Sequence, residues 1–370
     1  MKQRMCKLFR KSNLFVLAAI LAVVIACPIA ASAEDNTMSD LTPLAALRLP
    51  VEGTLPSLNG AVEWLNSKPL TPAGLRGKVI LVDFWTYTCV NWTRTAPYVR
   101  AWSEKYKDKG LVVIGVHTPE FPFEKNIANI RQAMKEMKVD YPVAVDSNYG
   151  VWNAFDNEYW PAVYIVDAQG RIRFHHFGEG AYDETESVIQ QLLVEAGAHD
   201  VGRGTVSVDP KGLELAADED DLQSPETYTG YARADSFAGA GGAVLDRSHV
   251  YTLPAALDLN TWALSGDWTF GKVAVVANKA NARIAYRFHA RDVNLIMSPP
   301  KPGTSARFRV FVDGHAPGAA HGTDVDAEGY GTVSEQRTYQ LIRQPKPIVT
   351  RTIEIKFLDP GTEAFDFTFG

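Results

Sequence analysis

The stretch Val79–Pro97, with the sequence VILVDFWTYTCVNWTRTAP, constrains the fold of this chain more than any other. Its first residues, Val79–Val82, are apolar and mostly β-branched, which predicts a buried central strand. Cys89 follows where the strand gives way to a segment with helical spacing. Unpaired backbone N–H groups and the helix dipole at such a junction stabilise a thiolate, which is the nucleophilic form of cysteine. The sequence therefore predicts a reactive thiol at Cys89.

These residues resemble the thioredoxin superfamily, in which a strand ending in V-D-F-W leads into a C-x-x-C motif at the head of a helix. Asp83 stands six residues before Cys89, where that family has its buried acid. The resemblance implies that Asp83 exchanges a proton with a sulfur leaving group, and a structural carboxylate that hydrogen-bonds to nearby groups is the alternative. The second cysteine of the motif is replaced by Trp92. A thiol that attacks a disulfide normally needs a partner thiol to release the mixed disulfide, and Trp92 cannot supply one. The resemblance therefore supports the fold but not an internal dithiol cycle.

The resemblance also implies a substrate-binding surface around Cys89. The proline before the strand that starts near Val163 is cis in this family and faces the cysteine, and we assign that role to Pro161. The backbone of Trp160 is then placed to pair with an extended thiol substrate. Trp85 and Trp92 are predicted to complete this surface, with Trp92 filling the space of the missing thiol.

A second motif in the same stretch allows peroxide chemistry. Residues Thr86–Cys89 contain the T-x-x-C half of a peroxiredoxin motif, in which the threonine hydroxyl hydrogen-bonds to the reactive sulfur. The proline that accompanies that threonine in peroxiredoxins is Val82 here. A peroxidase cycle would oxidise Cys89 to a sulfenic acid, which an external thiol must reduce. We therefore predict Cys89, Asp83 and Thr86 as the catalytic residues.

Histidines do not add a metal site to this prediction. His117, His175 and His176 lack a recognisable zinc-ligand spacing. Neither a metal nor another cofactor is predicted.

The N-terminus predicts a secretory signal over residues 1–33. Five basic residues precede an apolar run at 14–26, and an A-x-A cleavage pattern ends at Ala33. An uncleaved anchor and a lipidated Cys27 are the alternatives. Cleavage after Ala33 predicts a periplasmic or secreted protein whose only cysteine is Cys89.

Charge narrows the range of partners. Without the five basic residues of the signal, 32 basic side chains face 43 acidic ones, a net charge of −11. Such a chain is not expected to bind nucleic acid, and it is expected at a membrane only through an uncleaved or lipidated signal.

The remaining chain divides into two predicted domains. A flexible leader at 34–49 precedes an α/β thioredoxin-like domain at 50–197, with a central mixed sheet flanked by helices. One of its helices is predicted at Glu124–Met137. An acidic linker at 198–223 leads to an all-β domain at 224–370, whose short strands and Gly/Pro turns predict a β-sandwich or jelly roll.

Four further motifs extend the resemblance to the second domain: HTPEF, YWPA, FGEG and the ending DPGTEAFDFTFG. Together they look like the soluble C-terminal portion of DipZ-type proteins, which joins a TlpA-like thioredoxin domain to a carbohydrate-binding-module-like jelly roll. The resemblance covers roughly residues 50–370. It implies that electrons come from an external thiol or a thiol-disulfide reductase.

Two classes of function follow. The first is an exported single-cysteine thiol oxidoreductase, in which Cys89 attacks a disulfide or a peroxide and an external thiol releases the product. The second is a redoxin scaffold without turnover that binds a disulfide-containing protein or a glycan. In a glycan-binding protein, Trp262 and Trp268 could form a sugar platform, although a sandwich core explains them equally well.

Overall fold

A computed structural model describes residues 49–370. The predicted signal peptide and all but the last residue of the predicted leader lie outside the described residues. Within 49–370, no helix has both the length and the apolar character needed to cross a membrane.

The first domain contains a seven-stranded mixed sheet with the order β1-β7-β6-β3-β4-β5-β2. The central strand β3 pairs in parallel with β4 and antiparallel with β6, and all seven of its residues are buried. This confirms the predicted mixed sheet around the Val79 strand. The strands are β1 Gly53–Thr54, β2 Glu63–Leu65, β3 Val79–Trp85, β4 Leu111–His117, β5 Val143–Val145, β6 Ala162–Val166 and β7 Arg171–Phe177.

Successive side chains of a strand point to opposite faces of the sheet, so the apolar residues of β3 face both sides. Helices cover both faces and bury these residues. Leu81 of β3 belongs to a core that includes Trp102 and Leu192. Its neighbour Val82 belongs to a second core that includes Trp152. These core residues lie on three of the four helices, which are α1 Val90–Tyr106, α2 Ile127–Glu136, α3 Gly150–Ala154 and α4 Tyr182–Glu195.

The helix predicted at Glu124–Met137 begins later than expected. A 3₁₀ turn spans Pro122–Lys125, and α2 starts only at Ile127. The backbone of Asn126 is extended, and its side chain accepts a hydrogen bond from the N–H of Ala128, so Asn126 caps the helix. Glu124 therefore lies outside α2, and its side chain turns into the protein.

The second domain, called the β domain below, comprises β8–β18 and confirms the all-β prediction. Every ladder among its strands is antiparallel. The strands are β8 Thr227–Tyr228, β9 Ser248–Tyr251, β10 Trp262–Phe270, β11 Val275–Ala277, β12 Arg283–Phe288, β13 Asp292–Ser298, β14 Ala306–Val312, β15 Tyr330–Val333, β16 Arg337–Arg343, β17 Arg351–Phe357 and β18 Glu363–Phe369. A jelly-roll connectivity stays a prediction.

Strand β10 connects two parts of this domain by bending at Gly266. Before the bend β10 pairs with β12, and from Gly266 onward it pairs with β9 and β11. Gly266 has φ +89°, and a Cβ atom there would lie 3.0 Å from the Cα of Ala282, so the bend requires glycine. Strands from both parts contribute side chains to one hydrophobic core.

That core excludes the sugar platform considered for Trp262 and Trp268. Both indoles are fully buried in it. Their N–H groups donate to the backbone carbonyls of Asp235 and Ser265, so neither ring is presented to a ligand.

The segment 198–223 contacts both domains. Glu214 pairs with Arg100 of α1 at 2.8 Å, and the carbonyl of Gly212 accepts a hydrogen bond from Arg343 of β16.

The two domains also meet directly. Phe121 and Phe365 pack edge to face across the interface with their ring centroids 5.4 Å apart. Beside them, Arg233 forms an ion pair with Glu120 at 2.7 Å and lies over the ring of Tyr228. Thr338 of β16 donates a hydrogen bond to the carbonyl of Thr88, two residues before α1, so the β domain borders the region of Cys89.

Candidate functional site around Cys89

Cys89 is the N-cap residue of α1. Its backbone is extended, with φ −70° and ψ 111°, and its carbonyl accepts the N–H of Thr93 at 2.9 Å. The residue is partly exposed and forms no disulfide with any other described residue. The first turn of α1 contains no acidic side chain, so no neighbouring carboxylate in that turn opposes a thiolate. Cys89 therefore lies at the junction between strand β3 and helix α1, as the sequence predicts.

Trp92 occupies the motif position of the second cysteine. Its indole N–H donates to Oδ2 of Asp83 at 2.9 Å, and both residues are fully buried. Burial raises the pKa of Asp83 to about 7, and the hydrogen bond from Trp92 opposes this rise. Asp83 thus forms its hydrogen bond with the indole of Trp92, which stands where the C-x-x-C motif has its second cysteine. A catalytic role for Asp83 stays a prediction.

Trp85 lies beneath the site rather than on its surface. Its ring stacks on Trp92 with centroids 4.2 Å apart and contacts the edge of His117. Because Trp85 and Trp92 are both fully buried, neither offers a surface to an incoming molecule in this structure. Their assignment as substrate-binding residues stays a prediction that would require these side chains to move.

His117 is also fully buried, and neither ring nitrogen has a hydrogen-bond partner within 49–370. Burial lowers the pKa of His117 to about 3, so the ring is neutral at physiological pH. No group of three or more His, Cys, Asp or Glu residues in the described part of the chain could hold a metal ion.

Thr86, the residue of the partial peroxiredoxin motif, is fully buried as well. Its hydroxyl lies beside the carboxylate of Glu124, whose pKa it lowers. A role of Thr86 in peroxide chemistry stays a prediction.

The bond between Trp160 and Pro161 is cis, as the resemblance implied. Strand β6 starts at Ala162, which pairs with Phe84 near the end of β3. Pro161 therefore lies at the same end of the central strands as the loop that carries Cys89. The indole N–H of Trp160 donates to the carbonyl of Thr118 at 3.1 Å. Substrate binding by Trp160 and Pro161 stays a prediction.

Sequence reasoning did not identify Glu124 as part of the site. Its carboxylate is fully buried, and Oε1 accepts the hydroxyl of Thr88 at 2.6 Å. Oε2 accepts the backbone N–H groups of Glu120 and Phe121. Burial raises the pKa of Glu124 to about 7. The helical pattern puts Glu124 at the start of an amphipathic helix, and no motif in the sequence indicates its buried position.

Residues of the β domain also reach the site. The hydroxyl of Thr338 donates to the carbonyl of Thr88 at 2.7 Å. Arg94, one turn into α1, donates to the carbonyl of Phe369 and pairs with Glu179 at 2.9 Å. No sequence pattern indicated these contacts, because they join residues that lie far apart in the chain.

Comparison with known proteins gives matches for both domains. A family model described as Redoxin matches residues 52–193, and one described as Thioredoxin like C-terminal domain matches residues 224–370. The domain boundaries given above stay predictions.

Protein DipZ of Mycobacterium tuberculosis and of Mycobacterium bovis are each 34% identical to the chain over 343 residues, which is 92% of this chain and 46% of the relative. The chain thus spans about half the length of the DipZ proteins it matches. Thiol-disulfide oxidoreductase YkuV of Bacillus subtilis is 30% identical over 141 residues, which is 38% of this chain and 95% of the relative. A solution structure of a thioredoxin-like protein in the oxidized form is 31% identical, covers 39% of this chain and 96% of that one, and has a TM-score of 0.36.

The buried Asp83 predicts a distinctive dependence of stability on pH. In the unfolded chain a carboxyl loses its proton near pH 4, but folded Asp83 keeps it up to about pH 7. The folded state therefore binds more protons in this window, and the contribution of Asp83 to stability falls as pH rises through it. The variant Asp83→Asn has no proton to lose and keeps an acceptor for Trp92. Its free energy of unfolding relative to wild type should rise by about 1 kcal/mol per pH unit between pH 5 and 7.

Urea denaturation at several pH values measures this difference, and Asp167→Asn is the matched control. Burial would raise the pKa of Asp167, but hydrogen bonds from Arg171 and Arg173 outweigh it and lower the pKa. Asp167 is thus ionised in both folded and unfolded chains over this range, so its variant should show a constant difference. A constant difference for Asp83→Asn as well would contradict the assigned state of Asp83.

Proposed function

The chain belongs to the thioredoxin-like redoxin family of thiol-disulfide oxidoreductases, and from this premise we propose that it exchanges thiols and disulfides through Cys89 alone. The observation that carries the proposal is the hydrogen bond between Trp92 and Asp83. A fully buried indole fills the position of a resolving thiol and is fixed there by the acid. Cys89, which is partly exposed at the start of α1, is left as the reacting group.

The proposed cycle has two exchange steps. The Cys89 thiolate attacks one sulfur of a substrate disulfide, so a bond from Cys89 to that sulfur forms while the substrate S–S bond breaks. The other substrate sulfur leaves as a thiolate. An external thiolate then attacks the mixed disulfide at the substrate sulfur and releases the Cys89 thiolate. The external thiol ends in a disulfide with one half of the substrate, and the other half is reduced.

The external thiol is a requirement of this mechanism. The full chain has cysteines only at positions 6, 27 and 89, and the first two lie in the predicted signal. A chain cleaved after Ala33 has no second thiol with which to release the mixed disulfide. The partner is therefore a small thiol or a thiol-disulfide reductase.

Disulfides are preferred over peroxides as the substrate. Cys89 is partly exposed at the end of the central strands where cis Pro161 also lies. The relative YkuV is named as a thiol-disulfide oxidoreductase. The partial motif at Thr86 is the only feature that supports peroxide chemistry. For glycan binding, the two tryptophans considered as a platform are in the core.

Turnover tests the proposal. The processed chain should accelerate the reduction of a disulfide-linked fluorescent peptide by glutathione, with a rate that rises with glutathione concentration. Cys89→Ser should react at the uncatalysed rate, because serine forms no mixed disulfide. Equal rates for wild type and Cys89→Ser would favour the scaffold without turnover. Consumption of hydrogen peroxide without peptide reduction would instead identify a peroxidase.

Export and cleavage after Ala33 are part of the same proposal, and the signal pattern of residues 1–33 supports them. Mass spectrometry of the protein from the periplasm or the culture medium should show a chain that starts at Glu34. An intact N-terminus would indicate an uncleaved anchor, and a lipid on Cys27 would indicate a lipoprotein. Recovery of the protein only from the cytoplasm would contradict export.

A further inference from the structure

Thr88, the residue directly before Cys89, is held from two directions. Its side-chain hydroxyl donates to Oε1 of Glu124 at 2.6 Å. Its backbone carbonyl accepts the hydroxyl of Thr338 at 2.7 Å. Thr88 itself is fully buried, so water does not compete for either hydrogen bond.

The two hydrogen-bond partners of Thr88 are themselves fixed. Glu124 is anchored by the N–H groups of Glu120 and Phe121, at 2.6 and 2.8 Å from Oε2. Thr338 is buried on β16, where it pairs with Ile296 of β13. The position of Thr88 therefore depends on the turn that holds Glu124 and on strand β16, which carries Thr338.

The effect reaches Cys89 through the peptide bond that joins it to Thr88. This unit is planar, so the direction of the Thr88 carbonyl determines the direction of the Cys89 N–H. The carbonyl points to Thr338, and the N–H donates to the carbonyl of Thr86 at 3.2 Å. With both edges of the plane held, the direction in which the side chain of Cys89 leaves the backbone is restricted.

We propose that Glu124 and Thr338 are positioning residues for the Cys89 thiol, and that the β domain thereby completes the active site. The proposal rests on the function proposed above, because it concerns the reactivity of Cys89. Neither residue is assigned a contact with substrate. Each acts through Thr88.

The charge state of Glu124 gives this arrangement a pH dependence. Burial is the main cause that raises the pKa of Glu124, hydrogen bonds lower it, the charge of Glu120 raises it, and the net pKa is about 7. An ionised carboxylate only accepts hydrogen bonds, whereas a protonated one also carries an O–H donor, so the set of hydrogen bonds around Glu124 differs between the two states. The hold on Thr88 therefore changes near neutral pH.

Two other carboxyls near this interface also have pKa values of about 7: burial raises the pKa of Asp83 beneath Trp92, and desolvation together with the charge of Glu120 raises the pKa of Glu226 in the β domain. Glu120 is paired with Arg233 of the β domain at 2.7 Å and also accepts the hydroxyl of Tyr228. Tyr87 and Tyr149 feel the charge of Glu124, but burial raises the pKa of both hydroxyls, so both stay protonated. The effect of Glu124 is therefore taken from the ratio of the wild-type rate to the Glu124→Gln rate, because titrations common to both proteins cancel in that ratio.

The test is the rate of Cys89 alkylation by iodoacetamide between pH 5.5 and 9 in the processed two-domain chain. Thr338→Val removes the hydroxyl and keeps the shape, and it should slow alkylation about fivefold, the equivalent of one ordinary hydrogen bond. Thr338→Ser keeps the donor and should react like wild type. Thr352→Val on β17 makes the same change away from Thr88 and should also react like wild type.

Glu124→Gln tests the second contact. Glutamine keeps the size of the side chain and cannot ionise, so the ratio of the wild-type alkylation rate to the variant rate should change as the pH passes through 7. An unchanged rate for Thr338→Val, an equal loss in Thr338→Ser, or a ratio of wild-type to Glu124→Gln rates that is constant across pH 7 would overturn the proposal. Melting temperatures of all variants identify any that fail to fold.

Alkylation requires no external thiol and no turnover. The positioning proposal can therefore succeed or fail separately from the exchange cycle. If wild type and Cys89→Ser reduce disulfides equally while Thr338→Val still slows alkylation, the proposed function fails and the positioning role stands.

Discussion

The hydrogen bond from the Trp92 indole to the Asp83 carboxylate is the interaction on which the rest of the site depends. A carboxyl group buried in an apolar core is costly unless it has a partner, and here an indole N–H supplies one. The same indole stacks on Trp85 and fills the base of the site. In the proposed mechanism the chemistry is confined to Cys89, which is partly exposed at the start of α1.

The β domain belongs to the same structural unit as this site. Thr338 contacts the residue before Cys89, Arg94 of α1 contacts the carbonyl of Phe369, and Phe121 packs on Phe365. Polar and apolar contacts thus join the first turns of α1 to the β strands. Loss of the β domain would expose these groups and free the Cys89 loop, which is not expected of a domain attached only by a linker.

The sequence allows prediction of those features that local patterns encode. The apolar run at Val79 predicts β3, and the resemblance to thioredoxins predicts cis Pro161. Glu124 was placed in a helix because Ile127, Ile130 and Met134 follow with helical spacing, whereas the capping side chain of Asn126 starts the helix after Glu124. The amides that hold Glu124 become apparent only once the turn has formed.

The contact of Thr338 could not be predicted for a different reason: its partner lies 250 residues earlier in the chain, and nothing in strand β16 marks one hydroxyl as special.

The most direct test of a single-thiol mechanism is the intact mass of the processed protein after incubation with oxidised glutathione. The account predicts one glutathione on Cys89 that persists until an external thiol is added, and none on Cys89→Ser. Release of the glutathione without added thiol, or no adduct at all on the folded wild type, would contradict it.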